Sequence, residues 1–245
     1  MNYYSRSELG KRPNNEDSIG IKEYGNTFCM ILADGLGGCE DSEIASSMAV
    51  NKMLSVLDAN SSVVESFDEK KLEEIFSAAF QTINNEIAIR AAKDKSDMST
   101  TLSVVLVNQK KVFIVHIGDC RTYLLHGSKL ELLTKDHTYA ADLIRSGELD
   151  ESSLMQDSRR NVLTKYLGEN CYITPDFYRY NIMYGDLLLL CTDGLYVHID
   201  ENDLKETLRR HANLEQCATD LVSLVYDNGA SDNVSLILAH NKPVK

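Results

Sequence analysis

Aspartate recurs in this 245-residue chain at the points where apolar runs stop. The run "FCMILAD" ends on Asp34 and passes at once into Gly35, and "LLLLCTD" ends on Asp193 before Gly194. "VHIGD" closes on Asp119, and "NGASDN" sets Asp232 at the start of the last apolar run. Glu16 and Asp17 stand together in "RPNNED", shortly before the first apolar stretch. Taken singly, each has an ordinary reading. An Asp-Gly after a strand is more often a turn than a ligand, Glu16-Asp17 is a solvated turn, and Asp119 beside Arg121 is half of a surface ion pair worth little. As a set they imply chemistry, because strand ends are rigid and clustered carboxylates repel unless cations offset them. All-oxygen ligation favours the hard ions Mg²⁺ or Mn²⁺ over zinc. Two such ions sharing a bridging carboxylate can activate a water and stabilise the oxygens of an in-line displacement at phosphorus. Gly35 and Gly37-Gly38 would let backbone approach the ions closely. Arg12 precedes this acidic pair, and its guanidinium could fork onto phosphate oxygens, although alone it reads as an exposed arginine.

The elements that must position these residues come in blocks. Residues 40–58 carry Ala45, Met48, Ala49, Met53, Val56 and Leu57 at helical spacing, and Glu40 would start that helix directly off the acidic turn. A second helix over 68–93 shows Leu72, Ile75, Phe76, Ala79, Ile83 and Ile87 on one stripe, with Asp68 as its N-cap. Strands follow at 101–107, 111–117 and 121–126, joined by connections short enough to require antiparallel neighbours. A helix is expected to open near His137, and 148–162 has no period and reads as a mobile loop. Strands return at 186–192 and 234–240, with helices at 201–211 and 214–227 between them. Strand runs and helix pairs in blocks give an α+β class, most simply two sheets with helices packed outside.

Bulk properties set the boundaries. A hydrophobic content of 43% with 25% charged residues belongs to a globular chain, and a formal net charge of −12 disfavours nucleic acid and anionic membranes as partners. The six cysteines show no CxxC or zinc-like spacing; Cys29, Cys191 and Cys217 sit in apolar runs as core residues. Reduced thiols, a polar N-terminus and no long apolar run lead to the expectation of a cytoplasmic protein with no membrane span, folded as one domain over 1–245. A monomer is expected.

In order from residue 10 to 238, the stretches "GKRPNNED", "ADGLGGCEDSEIAS", "STTLSVVLV", "VHIGDCRTYLL", "LTKDHT", "LTKYLG", "LLLLCTDGL" and "SDNVSLIL" resemble the metal-dependent protein phosphatases, the PPM or type 2C group, in their compact bacterial form. The resemblance implies a four-layer α-β-β-α sandwich of two antiparallel sheets flanked by helix pairs. It implies hydrolysis of phosphoserine and phosphothreonine in proteins, the products of a Ser/Thr kinase, by metal-bound water with two to three Mn²⁺ or Mg²⁺ ions, in signalling. By motif, Asp34 would bridge two ions and Gly35 would offer its carbonyl to one. Asp193 and Asp232 would complete the other, Glu16 would reach the cluster through water, and Asp17 would support it. Asp119, with Asp193, would hold a third, weaker ion. Arg12 matches the arginine that binds substrate phosphate, and 148–162 falls where the family has its variable flap.

The match has departures. Leu36 stands where some relatives carry a histidine proposed as general acid, so no side chain there can protonate the leaving oxygen, and water on a metal is the better candidate. His137 reads as structural. Cys39, Ser42, Ser99, Cys120, Thr192 and Lys165 also replace the family's usual residues; none is a ligand, though Cys39 and Cys120 raise a question of redox sensitivity. A non-catalytic phosphoprotein-binding pseudophosphatase is disfavoured because Asp34, Asp119, Asp193 and Asp232 are all present. A partner-switching phosphatase of a transcription regulator keeps the chemistry and changes only the substrate. A P-loop protein is excluded, as no GxxxxGK[ST] occurs.

Overall fold

The computed structural model describes residues 1–36, 41–148 and 162–242. In chain order the elements are β1 (Asn2–Glu8), β2 (Asp17–Tyr24), β3 (Thr27–Leu36), α1 (Ser42–Ala59), α2 (Ser61–Ser66), α3 (Glu69–Asp94), β4 (Ser99–Thr100), β5 (Leu102–Asn108) and β6 (Lys111–Ile117). They continue with β7 (Arg121–His126), β8 (Lys129–Leu132), α4 (Tyr139–Ser146), β9 (Asp176–Asn181), β10 (Leu187–Cys191), α5 (Asp193–Tyr196), α6 (Glu201–Arg210), α7 (Leu214–Asp227) and β11 (Val234–His240). One sheet has the order β1-β11-β10-β7-β8 and the other β2-β3-β5-β6-β9, with β4 added at the end of β3. Every ladder is antiparallel.

Two-residue alternation along the central strands separates three apolar layers. Phe28, Met30 and Leu32 of β3 point between the sheets and meet Leu188, Leu190 and Ile237. Their neighbours Cys29, Ile31 and Ala33 point the other way, onto Ala49, Met53, Phe76 and Ile83 of α1 and α3. On the outer face of the second sheet, Leu189, Cys191, Leu236 and Leu238 pack on Leu204, Leu208, Cys217 and Leu221 of α6 and α7. Helices outside two stacked sheets give the α-β-β-α order that the sequence predicts. Strands covered on both faces lose the polar/apolar alternation and read as continuous apolar runs, and each such side chain buried contributes about 1.5–3 kcal/mol. Asp68 caps α3 as expected, its carboxylate accepting from the Lys71 N–H at 3.3 Å.

Three expectations are corrected or fall outside the described residues. The strand does not stop at Asp34: β3 runs on to Leu36, because Gly35 and Leu36 pair with Thr100 and Ser99 of β4. The first helix begins at Ser42, and Glu40 lies outside the described residues. Of the loop expected over 148–162, residues 149–161 also lie outside them. Two strands, β1 ("NYYSRSE") and β9 ("DFYRYN"), carry too little apolar character to be read from sequence, since each lies at a sheet edge with part of its surface in solvent. Cys29, Cys120, Cys171, Cys191 and Cys217 are free thiols, and among the described residues no helix is long and apolar enough to cross a membrane.

Candidate active site

Antiparallel register brings the acids to one end of the sandwich. Asp17 opens β2 opposite Asp34 near the end of β3, as direct cross-strand partners. In the other sheet, Cys191 at the end of β10 pairs with Leu236 near the start of β11 and with Arg121 at the start of β7. Asp193, Asp232 and Asp119, each lying just beyond one of these strand ends, therefore share that end with Asp17 and Asp34. The sheets are joined across the gap: the Thr192 hydroxyl donates to Asp17 Oδ2 at 3.0 Å, and the charge of Asp193 bears on the Asp34 carboxyl.

The backbone around Asp34 is held firmly. Its N–H donates to Thr101 Oγ1 at 2.8 Å, and its carbonyl accepts from the Thr100 hydroxyl at 2.8 Å and the Thr101 N–H at 2.9 Å. The adjacent Gly35 has no room for a side chain, since a Cβ would lie 2.4 Å from the Ser42 carbonyl oxygen and 2.8 Å from that of Glu16. Gly194 is tighter still, with a Cβ 1.9 Å from the Asn233 carbonyl oxygen. Both glycines are required because backbone crosses backbone at the site.

Arg12 and Glu16 ride on a loop fixed by a residue that motif reading passed over. Buried Asn233 accepts the Glu16 N–H at 2.9 Å and donates its amide to the carbonyls of Leu9 and Asn14, both at 2.9 Å. Its position beside Asp232 in "SDN" was the available signal. Arg12 donates to Asp232 Oδ2 at 2.7 Å and to the Ser231 carbonyl at 3.2 Å, with its side chain exposed to solvent.

Asp119 is buried, and its partner is not Arg121. The surface ion pair considered from sequence is replaced by a fork from Arg121 onto Asp136, at 2.7 and 3.1 Å, with the guanidinium stacked 3.7 Å over the Tyr196 ring. The Tyr196 hydroxyl in turn donates to the Asp119 carbonyl at 3.1 Å. Cys120 is buried against the Thr101 hydroxyl, and burial pushes its thiol well above its ordinary range, so the thiolate that oxidants attack is disfavoured there.

Electrostatically the site is dominated by its carboxyls, with the Arg12 guanidinium in contact with Asp232. Burial is the largest cause of an upward shift at five carboxyls. Asp34 is pushed well above its usual range, with the charges of Asp17, Asp193, Asp119 and Asp232 adding to the effect. Asp119 is likewise pushed well up, with Asp193 and Asp136 adding. Asp193 rises to about 6, with Asp232 adding. Asp17 rises to about 7 despite opposing hydrogen bonds from Ser235 and Thr192. Glu16 is raised by burial too, with Arg12 opposing.

These residues fit divalent cations. Asp17 Oδ1 is buried with no hydrogen-bond partner, and carboxyls from two sheets crowd together where added positive charge would let them ionise. The donors are oxygens, the set that suits Mg²⁺ or Mn²⁺. Among the described residues no three His, Cys, Asp or Glu side chains close into a ready cage, so backbone carbonyl and water would have to complete any coordination shell, as is usual for Mg²⁺.

A family model described as Protein phosphatase 2C matches residues 6–239. The serine/threonine phosphatase stp of Listeria monocytogenes is 32% identical over 237 residues, covering 95% of this chain and 93% of that protein. Among solved structures, a bacterial serine phosphatase superposes with a TM-score of 0.90 at 28% identity, covering 100% of this chain and 99% of the other. The catalytic domain of the serine/threonine protein phosphatase PstP, solved with two manganese ions, gives a TM-score of 0.81 at 28% identity, covering 97% of this chain and 96% of the other.

Proposed function

From the premise that the chain belongs to the protein phosphatase 2C family, we propose that its strand-end carboxylates hold two to three Mn²⁺ or Mg²⁺ ions and that Arg12 receives the substrate phosphate. The chain is a serine/threonine protein phosphatase, a hydrolase whose substrates are phosphoproteins and whose family uses divalent metal. The observation carrying the site assignment is geometric: Asp17 and Asp34 are direct cross-strand partners, Thr192 of the other sheet donates to Asp17 beside Asp193, and Asp17 Oδ1 is buried without a hydrogen-bond partner.

In this reading Asp34, Asp193, Asp232 and the Gly35 carbonyl would hold the ions, Glu16 and Asp17 would support them, and Asp119 with Asp193 would hold a third, weaker one. The ions would supply Lewis acidity, acidifying the attacking water and neutralising the phosphoryl oxygens. The chain's own part is to fix geometry. Thr100 and Thr101 pin Asp34, Thr192 orients Asp17, and Asn233 sets the loop that presents Arg12 and Glu16. Arg12, exposed at the rim, can exchange its contact with Asp232 for a fork onto phosphate oxygens. Leu36 offers no proton to the leaving oxygen, so water must provide it. The protein is taken to work as a cytoplasmic monomer of one catalytic domain in signalling.

Phosphate release from phosphothreonine and phosphoserine peptides tests this reading, measured with Mn²⁺, with Mg²⁺ and with EDTA. Turnover that requires metal and disappears in Asp193→Asn supports the reading. Binding of phosphopeptide without turnover under any metal would leave the pseudophosphatase.

A further inference from the structure

Behind Asp119 lies a group of polar side chains for which neither the proposed chemistry nor the core has a use. His137 is buried, and its Nδ1 accepts the Gly118 N–H at 3.0 Å, while its own backbone N–H donates to the Gly118 carbonyl at 2.9 Å. Both polar groups of the residue before Asp119 are thus held by one histidine, and the carbonyl of Asp119 itself is held by Tyr196. Gly118 has φ +111, and a Cβ there would lie 2.4 Å from Thr101, so only glycine fits at this position.

The ring of His137 is oriented in turn. With Nδ1 accepting, its proton sits on Nε2, which lies 3.2 Å from Asp176 Oδ2 in an electrostatic approach rather than a well-aligned hydrogen bond. Asp176 also receives Lys165 Nζ at 3.0 Å and the Tyr178 hydroxyl at 3.2 Å. The His116 ring stacks on the other side, with centroids 5.0 Å apart. Lys165 belongs to a segment joined by backbone to both metal-side loops: the Thr164 N–H donates to the His137 carbonyl at 2.8 Å, and Leu167 exchanges bonds with Thr100 at 2.8 and 2.9 Å.

We propose that His137, oriented by Asp176 and Lys165, is a positioning residue that sets the Asp119 carboxylate for the weakest of the bound ions. An apolar side chain would fill the same space yet leave the Gly118 N–H unpaired and the peptide free to tilt, which moves the carboxylate one bond further on. Partners of this kind, one step removed from an ion, typically change affinity by 10–100-fold. The inference rests on the reading of Asp119 as an ion-holding group, and the test separates the two.

Calorimetric Mn²⁺ titration of the full chain resolves tight and weak binding, and amide hydrogen exchange at Gly118 is read in the metal-free protein. His137→Leu is expected to weaken only the weak phase by about tenfold or more and to speed Gly118 exchange. His137→Asn, which keeps an acceptor near the Nδ1 position, is expected to restore most of both. Lys165→Ala, on a half-exposed side chain, gives a smaller loss that Lys165→Arg repairs, and it carries the test should His137→Leu fail to fold. Phosphopeptide kinetics should show the loss at subsaturating Mn²⁺ and recovery at high Mn²⁺, which general destabilisation would not give. Weak binding that survives in His137→Leu and Lys165→Ala but is lost in Asp119→Asn overturns the positioning role. Weak binding that survives Asp119→Asn overturns the Asp119 reading itself, and the proposal with it.

Discussion

At the scale of single residues, function works against stability. Asp193 is a half-buried carboxyl that prefers its proton up to about pH 6, because partial burial and Asp232 oppose its charge. Without metal at about pH 7.5, Asp193→Asn is therefore expected to raise unfolding free energy by roughly 1–3 kcal/mol, while phosphatase turnover falls by about a hundredfold or more. Denaturant unfolding in EDTA checks the first effect. A destabilised variant would mean that Asp193 is stabilising in its own right. Arg12→Ala should lower kcat/KM for phosphopeptides by roughly 10–100-fold through the lost charge-assisted bonds, with Arg12→Lys restoring only part, since an ammonium cannot fork. Asn233→Ala strips partners from Glu16, Leu9 and Asn14 and should cost about 1–3 kcal/mol in thermal or chemical unfolding. The acids were legible because charge at the end of an apolar run is conspicuous. Asn233 was not, because its partners are backbone groups that adjoin it only in the folded chain.

At the scale of elements, what could be read depended on which faces are buried. Strands β3, β5, β10 and β11, covered on both sides, announce themselves as apolar runs. Strands β1 and β9 lie at sheet edges, where local composition follows solvent exposure and pairing is decided by a partner distant in sequence. The extension of β3 past Asp34 was hidden for the same reason, since only the short β4 opposite explains it. Close crossing of backbones imposes a sharper constraint than composition. Gly194→Ala puts a methyl group 1.9 Å from the Asn233 carbonyl oxygen. It should destabilise by about 1–3 kcal/mol and shift both Asp193 and the Asn233-held loop, measured as lower Tm together with weaker Mn²⁺ binding. An unchanged Tm would show that the β10–α5 turn is not the rigid corner described here.

Over the whole molecule, the site couples metal, protons and folding. Asp193 and Asp17 bind protons more tightly folded than unfolded, so their contribution to stability is greatest below the ordinary carboxylate value of 3.8. It is lost as pH rises through about 6 and about 7 respectively. His116 acts in the opposite sense. Burial pushes it down to about 3, so the stability it contributes is present above 6.5 and lost as pH falls. Comparing metal-free with Mn²⁺-loaded protein isolates the carboxylates from the histidine. The rise in Tm on adding Mn²⁺ should be larger at about pH 7.5 than at about pH 5.5, because the ions bind only the deprotonated groups. Equal increments at both values would indicate binding that does not engage these carboxyls.

The central claim is that carboxylates delivered by both sheets hold the ions, and anomalous diffraction from manganese-soaked crystals addresses it most directly. Manganese peaks are expected at the end of the sandwich where Asp34 meets Asp193, with Asp34 contacting two of them and Asp232 and the Gly35 carbonyl completing their surroundings. Ordered manganese found only elsewhere, with none in contact with Asp34 or Asp193, would contradict the account.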